Sequence, residues 1–220
     1  FFKYQATGND FLIIDNRLHI FNKNNTKLIA KLCDRRFGIG ADGLILLERN
    51  AVYDFEMIYY NADGKQSSMC GNGGRCIVAL ARRLEMIQDT TNFIAIDGLH
   101  KAIIDGSQVS LKMRDVVQIS RVNGGFMLDT GSPHYVSMRS DLNALDVQFE
   151  GSQIRNSTTF KKDGINVNFV TSISQERFAV RTYERGVEGE TLSCGTGVTA
   201  VAVAMHASKE TDKQRIELQT

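Results

Sequence analysis

The chain has 220 residues and a hydrophobic fraction of 42%, with 26 Lys and Arg against 25 Asp and Glu. That is enough for one large domain or two small ones with ordinary cores. A net charge of +1 without a basic run gives nucleic acid no electrostatic footing, and no apolar run reaches the roughly 18 residues that a membrane-spanning helix needs. Cysteines stand at 33, 70, 76 and 194 with no Cys-x-x-Cys pair, which supports neither a disulfide scaffold nor a zinc site. With no secretory leader in view, a reducing cytoplasm is the default compartment. The chain opens on Phe and stops at Arg215-Ile216-Glu217-Leu218-Gln219-Thr220, which reads as the start of a strand, so further C-terminal strands are expected.

In chain order, the Thr7-Gly8 turn leads into a strand over Leu12-Ile13-Ile14. A helix follows around Lys27 to Leu32, then strands at Leu44 to Leu47 and Phe55 to Tyr60. Asn61-Ala62-Asp63-Gly64 and Asp105-Gly106 are hairpin-type signals. Met69-Cys70-Gly71-Asn72-Gly73 runs into an apolar helix containing Ile77-Val78-Ala79-Leu80-Ala81, and Asn92 to Ile96 reads as a strand. The second half repeats this order. Thr130-Gly131 leads into Val136-Ser137-Met138, Asn166 to Val170 and Phe178 to Tyr183 are strands, and Ser193-Cys194-Gly195-Thr196-Gly197 opens an apolar helix over Val198 to Met205.

Thr7 and Thr130 are 123 residues apart, and so are Phe55 and Phe178; the two cysteines are 124 apart. A collinear repeat of several features predicts an α+β fold of two pseudo-symmetric domains, 1–115 and 116–220, with a join near Met113 to Ser120. Both apolar helices are expected to be buried all round. Each half is therefore an antiparallel-rich curled sheet wrapped around a central helix, whose N-terminus is expected to aim at the gap between the halves.

Duplication explains the fold, but not why a cysteine recurs at both helix starts. A thiolate there is favoured by the helix dipole, which lowers its pKa from about 8.5 towards neutrality. Such a thiol can serve as base in one half-reaction and acid in the other. Gly71, Gly73, Gly195 and Gly197 would let backbone N–H groups approach a carboxylate and take the charge that develops beside it. Two thiols flanking one carboxylate describe an amino-acid racemase or epimerase that needs no cofactor and no metal. Cys33 and Cys76 read as small buried hydrophobes; Cys76 lies about 240° round the helix from Cys70. Glu184 and Arg185 suit an ammonium and a carboxylate, though a surface pair would look the same. His134 follows the only proline, in the repeated turn. Asn9, Asn61, Asn72 and Asn166 stand in turns or at strand starts, where asparagine is usually a turn former.

Together Thr7-Gly8-Asn9-Asp10-Phe11, Arg36-Phe37-Gly38-Ile39-Gly40-Ala41-Asp42-Gly43, Tyr60 to Gly64, Met69 to Cys76, Gly131-Ser132-Pro133-His134, Tyr183 to Gly186 and Cys194-Gly195-Thr196-Gly197 resemble diaminopimelate epimerase. The resemblance implies cofactor-independent interconversion of LL- and meso-2,6-diaminopimelate on the route to lysine and cell-wall peptide. It implies Cys70 and Cys194 as the two bases. Gly71, Asn72, Gly195 and Thr196 would bind the carboxylate at the reacting centre, and Glu184 the ammonium. Asn9, Asn61, Asn166 and Arg185 would hold the rest of the substrate. His134 matches a position that influences catalysis, and a homodimer is common in the family. Two departures stand out: some members carry a polar residue in place of Gly43 and an asparagine in place of Ser132. The family's final strands, which return to the first domain, are also expected beyond this chain.

The rival enzyme is a proline or hydroxyproline racemase, which usually has a histidine after the first Cys-Gly where this chain has Asn72, and Ser-Pro before the second cysteine where it has Leu192-Ser193. A phenazine-type isomerase shares the fold without the two thiols. The rival outside enzymology is a redox-sensitive amino-acid-binding protein in which Cys70 and Cys194 form a disulfide.

Overall fold

The computed structural model describes residues 1–67 and 69–220. They form two compact units, Phe1–Lys112 and Met113–Thr220. The first contains β1 (Phe2–Ala6), β2 (Asn9–Asp15), α1 (Thr26–Cys33), β3 (Gly43–Glu48), β4 (Phe55–Asn61), α2 (Gly71–Arg83), β5 (Thr90–Ala95), β6 (Gly98–Asp105) and β7 (Gln108–Leu111). Its seven-stranded sheet follows chain order. Two neighbouring pairs, β2 with β3 and β4 with β5, are parallel. A parallel pair needs a crossover, and α1 and α2 supply the two.

Local sequence explains the elements. Asn25 caps α1 by accepting from the Leu28 N–H at 3.1 Å. In β3 every residue of Gly-Leu-Ile-Leu-Leu-Glu is buried, as befits a strand covered on both faces. The Asp105-Gly106 signal is the β6–β7 hairpin, with Gly106 at φ +56, a conformation that favours glycine. The Asn61–Gly64 turn forms as well, closed by the Gly64 N–H on the Asn61 carbonyl at 2.9 Å. Among the described residues it leads back to an isolated bridge between Tyr60 and Gln66 rather than to a named strand.

The second unit contains β8 (Ile119–Val122), β9 (Gly125–Asp129), β10 (Pro133–Met138), α3 (Val147–Arg155), β11 (Asn166–Ser172), β12 (Arg177–Glu184), β13 (Gly189–Thr191), α4 (Gly195–Ala207) and β14 (Glu217–Gln219). The sheet runs β8 to β12 in order, and β13 and β14 then share the far edge of β12. The repeat extends to register. Phe11 pairs with Gly43 across β2 and β3, and His134 with Asn166 across β10 and β11, each partner 123 residues further on. Both central helices have 13 residues.

The helices are not equally covered. α2 packs against β1, β2, β3, β4, β6 and β7 and buries Cys76, Ile77, Val78, Leu80 and Ala81 besides its glycines. α4 was expected to be buried all round and is not. Gly197, Ala200, Val201, Ala204 and Met205 face the sheet, while Val198, Ala202 and Val203 are half-buried. Around α2 the sheet continues past β5 into the β6–β7 hairpin; β14, which pairs parallel with β12 as β5 does with β4, covers Glu217–Gln219. α3 was not anticipated, because its sequence Val-Gln-Phe-Glu-Gly-Ser-Gln-Ile-Arg carries no clear apolar stripe and exposes Phe149. Asp146 starts it by accepting from the Phe149 N–H at 2.9 Å.

Gly151 lets α3 lie on β12: a β-carbon there would come 2.5 Å from Cβ and 2.6 Å from Cγ of Tyr183. Alanine would gain about 0.5–1 kcal/mol of helix propensity but meet an overpacking cost of about 1–3 kcal/mol. Gly151→Ala should therefore lower the urea midpoint of unfolding, and an unchanged or raised midpoint would show that α3 shifts freely.

Candidate functional site

Each unit carries a cysteine at the start of its central helix, with its own set of neighbours. In the first, Cys70 stands at the N-cap of α2 in extended conformation (φ −93, ψ 128). Its carbonyl accepts the first helical bond, from Gly74, at 2.8 Å. The N–H groups of the residues between belong to the first turn, which has no acceptor within the helix. The Cys70 thiol donates to the Asn9 Oδ1 at 3.6 Å, and the Asn72 Nδ2 lies 3.5 Å from the same oxygen. Asn9 is held from behind, its Nδ2 donating to the Asp42 Oδ2 at 2.8 Å. A carboxylate only accepts, so Asp42 fixes which end of the Asn9 amide faces the sulfur.

Asp42 in turn takes Arg35 at 2.7 Å, Arg35 also takes Asp10 at 2.6 Å, and Lys3 reaches Asp10 at 2.8 Å. Burial raises the Asp10 carboxyl, but hydrogen bonds from Arg35 and Lys3 outweigh it and hold the group well below the usual carboxylate range. Asn61 is exposed at the end of β4, opposite Gly43. A β-carbon on Gly43 would fall 2.5 Å from the Tyr59 ring and 3.0 Å from its hydroxyl. The Tyr59 ring occupies the space that a side chain at residue 43 would need.

In the second unit Cys194 is the N-cap of α4 (φ −116, ψ 111) and is buried. Its Sγ lies 3.4 Å from the Thr196 Oγ1, and the Thr196 Oγ1 lies 2.9 Å from the His134 Nε2. His134 is completely buried. Loss of water, with a smaller effect of the Arg185 charge, pushes its pKa down to about 3. Glu184, at the end of β12, accepts from the Thr191 hydroxyl at 2.5 Å. Burial pushes its carboxyl up, against opposing hydrogen bonds from Thr191 and Cys194. Asn166 is buried and donates to the Ser132 Oγ at 2.8 Å and the Pro133 carbonyl at 3.1 Å, while its Oδ1 takes the Arg185 N–H at 2.9 Å. Ser132 thus serves as the acceptor for Asn166. The Arg185 guanidinium rests on the Asp163 carbonyl at 2.8 Å.

The other thiols behave as buried hydrophobes. Burial pushes Cys33 up to about 11, and burial followed by the proximity of Cys70 pushes Cys76 up to about 12. Gly73 and Gly197 also have a packing role. A β-carbon on Gly73 would come 3.0 Å from Ile45 and 3.2 Å from Met57, and one on Gly197 would strike the Asn168 side chain and come 3.2 Å from the Cys194 Cβ.

The residues that sequence reading missed are those behind the site: Arg35 and Asp42 in the first unit, Thr130, Asn168 and Thr182 in the second. Asn168 had a signal, because it is two positions from Asn166 on one strand and so shares its face. Among the described residues no group of three His, Cys, Asp or Glu is placed to hold a metal, and no helix is long and apolar enough to cross a membrane.

Residues 1–106 and 126–220 match the family profile described as diaminopimelate epimerase. Over 218 residues the chain is 56% identical to a diaminopimelate epimerase of Flavobacterium psychrophilum, covering 99% of this chain and 85% of that one. It is 44% identical to the protein of the same name from Chlorobaculum tepidum, covering 90% and 80%. Among solved structures, a phenazine biosynthesis protein of the PhzF family from Bacillus anthracis matches with a TM-score of 0.70 at 11% identity, covering 93% of this chain and 76% of that one. A hydroxyproline epimerase from Agrobacterium vitis matches with a TM-score of 0.66 at 14% identity, covering 95% and 77%. The structural likenesses establish the fold; the sequence matches establish that the chain belongs to the diaminopimelate epimerase family.

The burial of neutral His134 has a pH signature. Its folded pKa of about 3 lies below the ordinary 6.5, so between those values the unfolded chain binds a proton that the folded one does not. Stability contributed by the neutral ring is therefore present above pH 6.5 and lost as pH falls towards 3, by up to about 1.4 kcal/mol per pH unit. Urea titrations from pH 7 to 4 should show a steeper loss in the parent protein than in His134→Gln; parallel curves would contradict the buried neutral ring.

Proposed function

Starting from that membership, we propose that the protein interconverts LL- and meso-2,6-diaminopimelate without a cofactor, using Cys70 and Cys194 as its two acid–base groups. One observation carries the reading: equivalent 13-residue helices in the two units each begin at a cysteine N-cap, in a chain that matches the diaminopimelate epimerase profile over both halves. Epimerisation removes the α-proton from one face of the carbon and returns a proton to the other. In each direction one thiolate takes the α-proton and becomes a thiol, and the other thiol gives up its proton and becomes a thiolate. The enzyme is regenerated by exchange with water.

The carbanion between these steps places charge on the adjacent carboxylate. First-turn N–H groups at Gly71, Asn72, Gly195 and Thr196 would hold that carboxylate and stabilise the added charge. Glu184, half-buried beside Cys194, would take the ammonium. Asn9, Asn61, Asn166 and Arg185 would hold the remainder, including the distal amino-acid end. Asn9 would do so from its place against Cys70, and Asn166 by fixing the Arg185 backbone. Arg185 supplies the positive charge for a second carboxylate, which proline lacks. Asn72 after the first Cys-Gly and Leu192-Ser193 before the second cysteine also favour diaminopimelate over a cyclic imino acid.

Proton NMR in D2O tests the chemistry and the substrate together. Reduced protein given LL-diaminopimelate and L-proline should erase the α-proton signal of diaminopimelate alone as the meso isomer forms. Exchange at proline, or at neither compound, would overturn the substrate. Cys70→Ala and Cys194→Ala should each lower epimerisation by at least about 100-fold, and full turnover in either would remove that thiol from the mechanism. Arg185→Ala should raise KM for diaminopimelate by about tenfold or more at an unchanged unfolding midpoint; an unchanged KM would exclude it from the distal site.

A further inference from the structure

We propose that Asn168 is a positioning residue: it fixes the tautomer of His134 and thereby turns the Thr196 hydroxyl proton towards the sulfur of Cys194. The inference deepens the reading of Cys194 as an acid–base group and rests on it.

The argument follows donors and acceptors along one buried chain. Asn168 lies on β11 with no exposed surface. Its Nδ2 is 3.2 Å from the Tyr135 carbonyl and 3.1 Å from the His134 Nδ1, and its Oδ1 is 3.0 Å from the Thr182 hydroxyl. The amide has one workable orientation. Turned over, it would set its oxygen against the Tyr135 carbonyl, two acceptors facing each other in a dry interior. With Nδ2 at the ring, the His134 Nδ1 must accept, so the ring proton of the neutral imidazole is on Nε2.

Nε2 then donates to the Thr196 Oγ1 at 2.9 Å. The Thr196 hydroxyl, its oxygen already accepting, is left to donate, and Cys194 Sγ is 3.4 Å away. A hydroxyl donor at that sulfur favours the thiolate over the thiol. The helix is anchored in the same place, because the Thr130 hydroxyl donates to the Thr196 carbonyl at 2.8 Å. Gly197 completes the arrangement: a β-carbon there would collide with the Asn168 oxygen.

Among the described residues, Glu184 on β12 bonds Cys194 directly, and His134 on β10 reaches it through Thr196. Arg185 acts on the His134 ring. Glu184 is a separate influence on the same sulfur and stays intact in the test.

The first measurement needs no variant. In uniformly 15N-labelled protein at pH 7, the ring signals of His134, assigned by their loss in His134→Gln, should show a protonated Nε2 and an unprotonated Nδ1. A protonated Nδ1 would overturn the proposal. The second follows the 13Cβ shift of labelled cysteines against pH. In folded Asn168→Leu the ring should lose its single tautomer, and the Cys194 midpoint should rise by about one pH unit while that of Cys70 stays put. A single Nε2–H tautomer or an unmoved Cys194 midpoint in that variant would overturn the assignment; if the variant does not fold, the parent tautomer decides. Neither readout involves turnover. Correct tautomer and midpoints without diaminopimelate exchange would sink the substrate reading alone, and normal exchange with the wrong tautomer would sink this one alone.

Discussion

The first turn of each central helix is pressed against its own sheet, and the placement of both thiols depends on that contact. A methyl group at Gly73 would press on the tips of Ile45 and Met57, and one at Gly197 would collide with Asn168. Close packing holds these turns as rigidly as the rest of a protein interior. The residue just outside each turn is Cys70 or Cys194, so the position of the sulfur follows from the packing of its helix. The first-turn N–H groups of both helices, which have no acceptor within the helix, are positioned by the same contact.

On this duplicated backbone the side chains have diverged. Register places Phe11 and His134 at equivalent points, and likewise Gly43 and Asn166. The same offset relates Asn61 to Glu184, and one residue more relates Asn72 to Thr196. In the first unit the amides of Asn9 and Asn72 meet at the thiol, the Arg75 charge is near enough to interact with it, and the Lys3, Asp10, Arg35 and Asp42 lattice stands behind Asn9. Those ion pairs are partly exposed, where each is worth little to stability; their use lies in orienting Asn9. Among the described residues, no comparable lattice of ion pairs is seen behind the second thiol. The second unit places a buried neutral imidazole and a carboxyl raised by burial near the sulfur. One thiol faces a carbonyl oxygen and the other a hydroxyl.

The unequal cover of α2 and α4 shows the limit of composition as a guide. The run from Val198 to Met205 is more uniformly apolar than its counterpart, yet its helix is the less buried. Apolarity states what a helix would gain from cover, not how much cover it has.

The sequence by itself determined the repeat, the fold class, the two cysteine N-caps and most residues placed around them. Those features are written in local patterns: a Gly-rich turn before an apolar run, period-2 strands, and a constant offset between halves. α3 escaped because Gly151 and Ser152 break any apolar stripe, and it packs on β12, where Gly151 lies against Tyr183 more than 30 residues away in the chain. Asp42 and Asn168 escaped for the same kind of reason. Their types are ordinary for a turn and a strand, and their roles arise only when β3 meets β2 and when β11 meets β10. Which way an amide points, which nitrogen of a buried histidine carries the proton, and whether a glycine serves a ligand or a neighbour are settled by atoms distant in sequence. Only the tertiary structure decided them, because donor and acceptor roles are assigned by the whole set of neighbours at once.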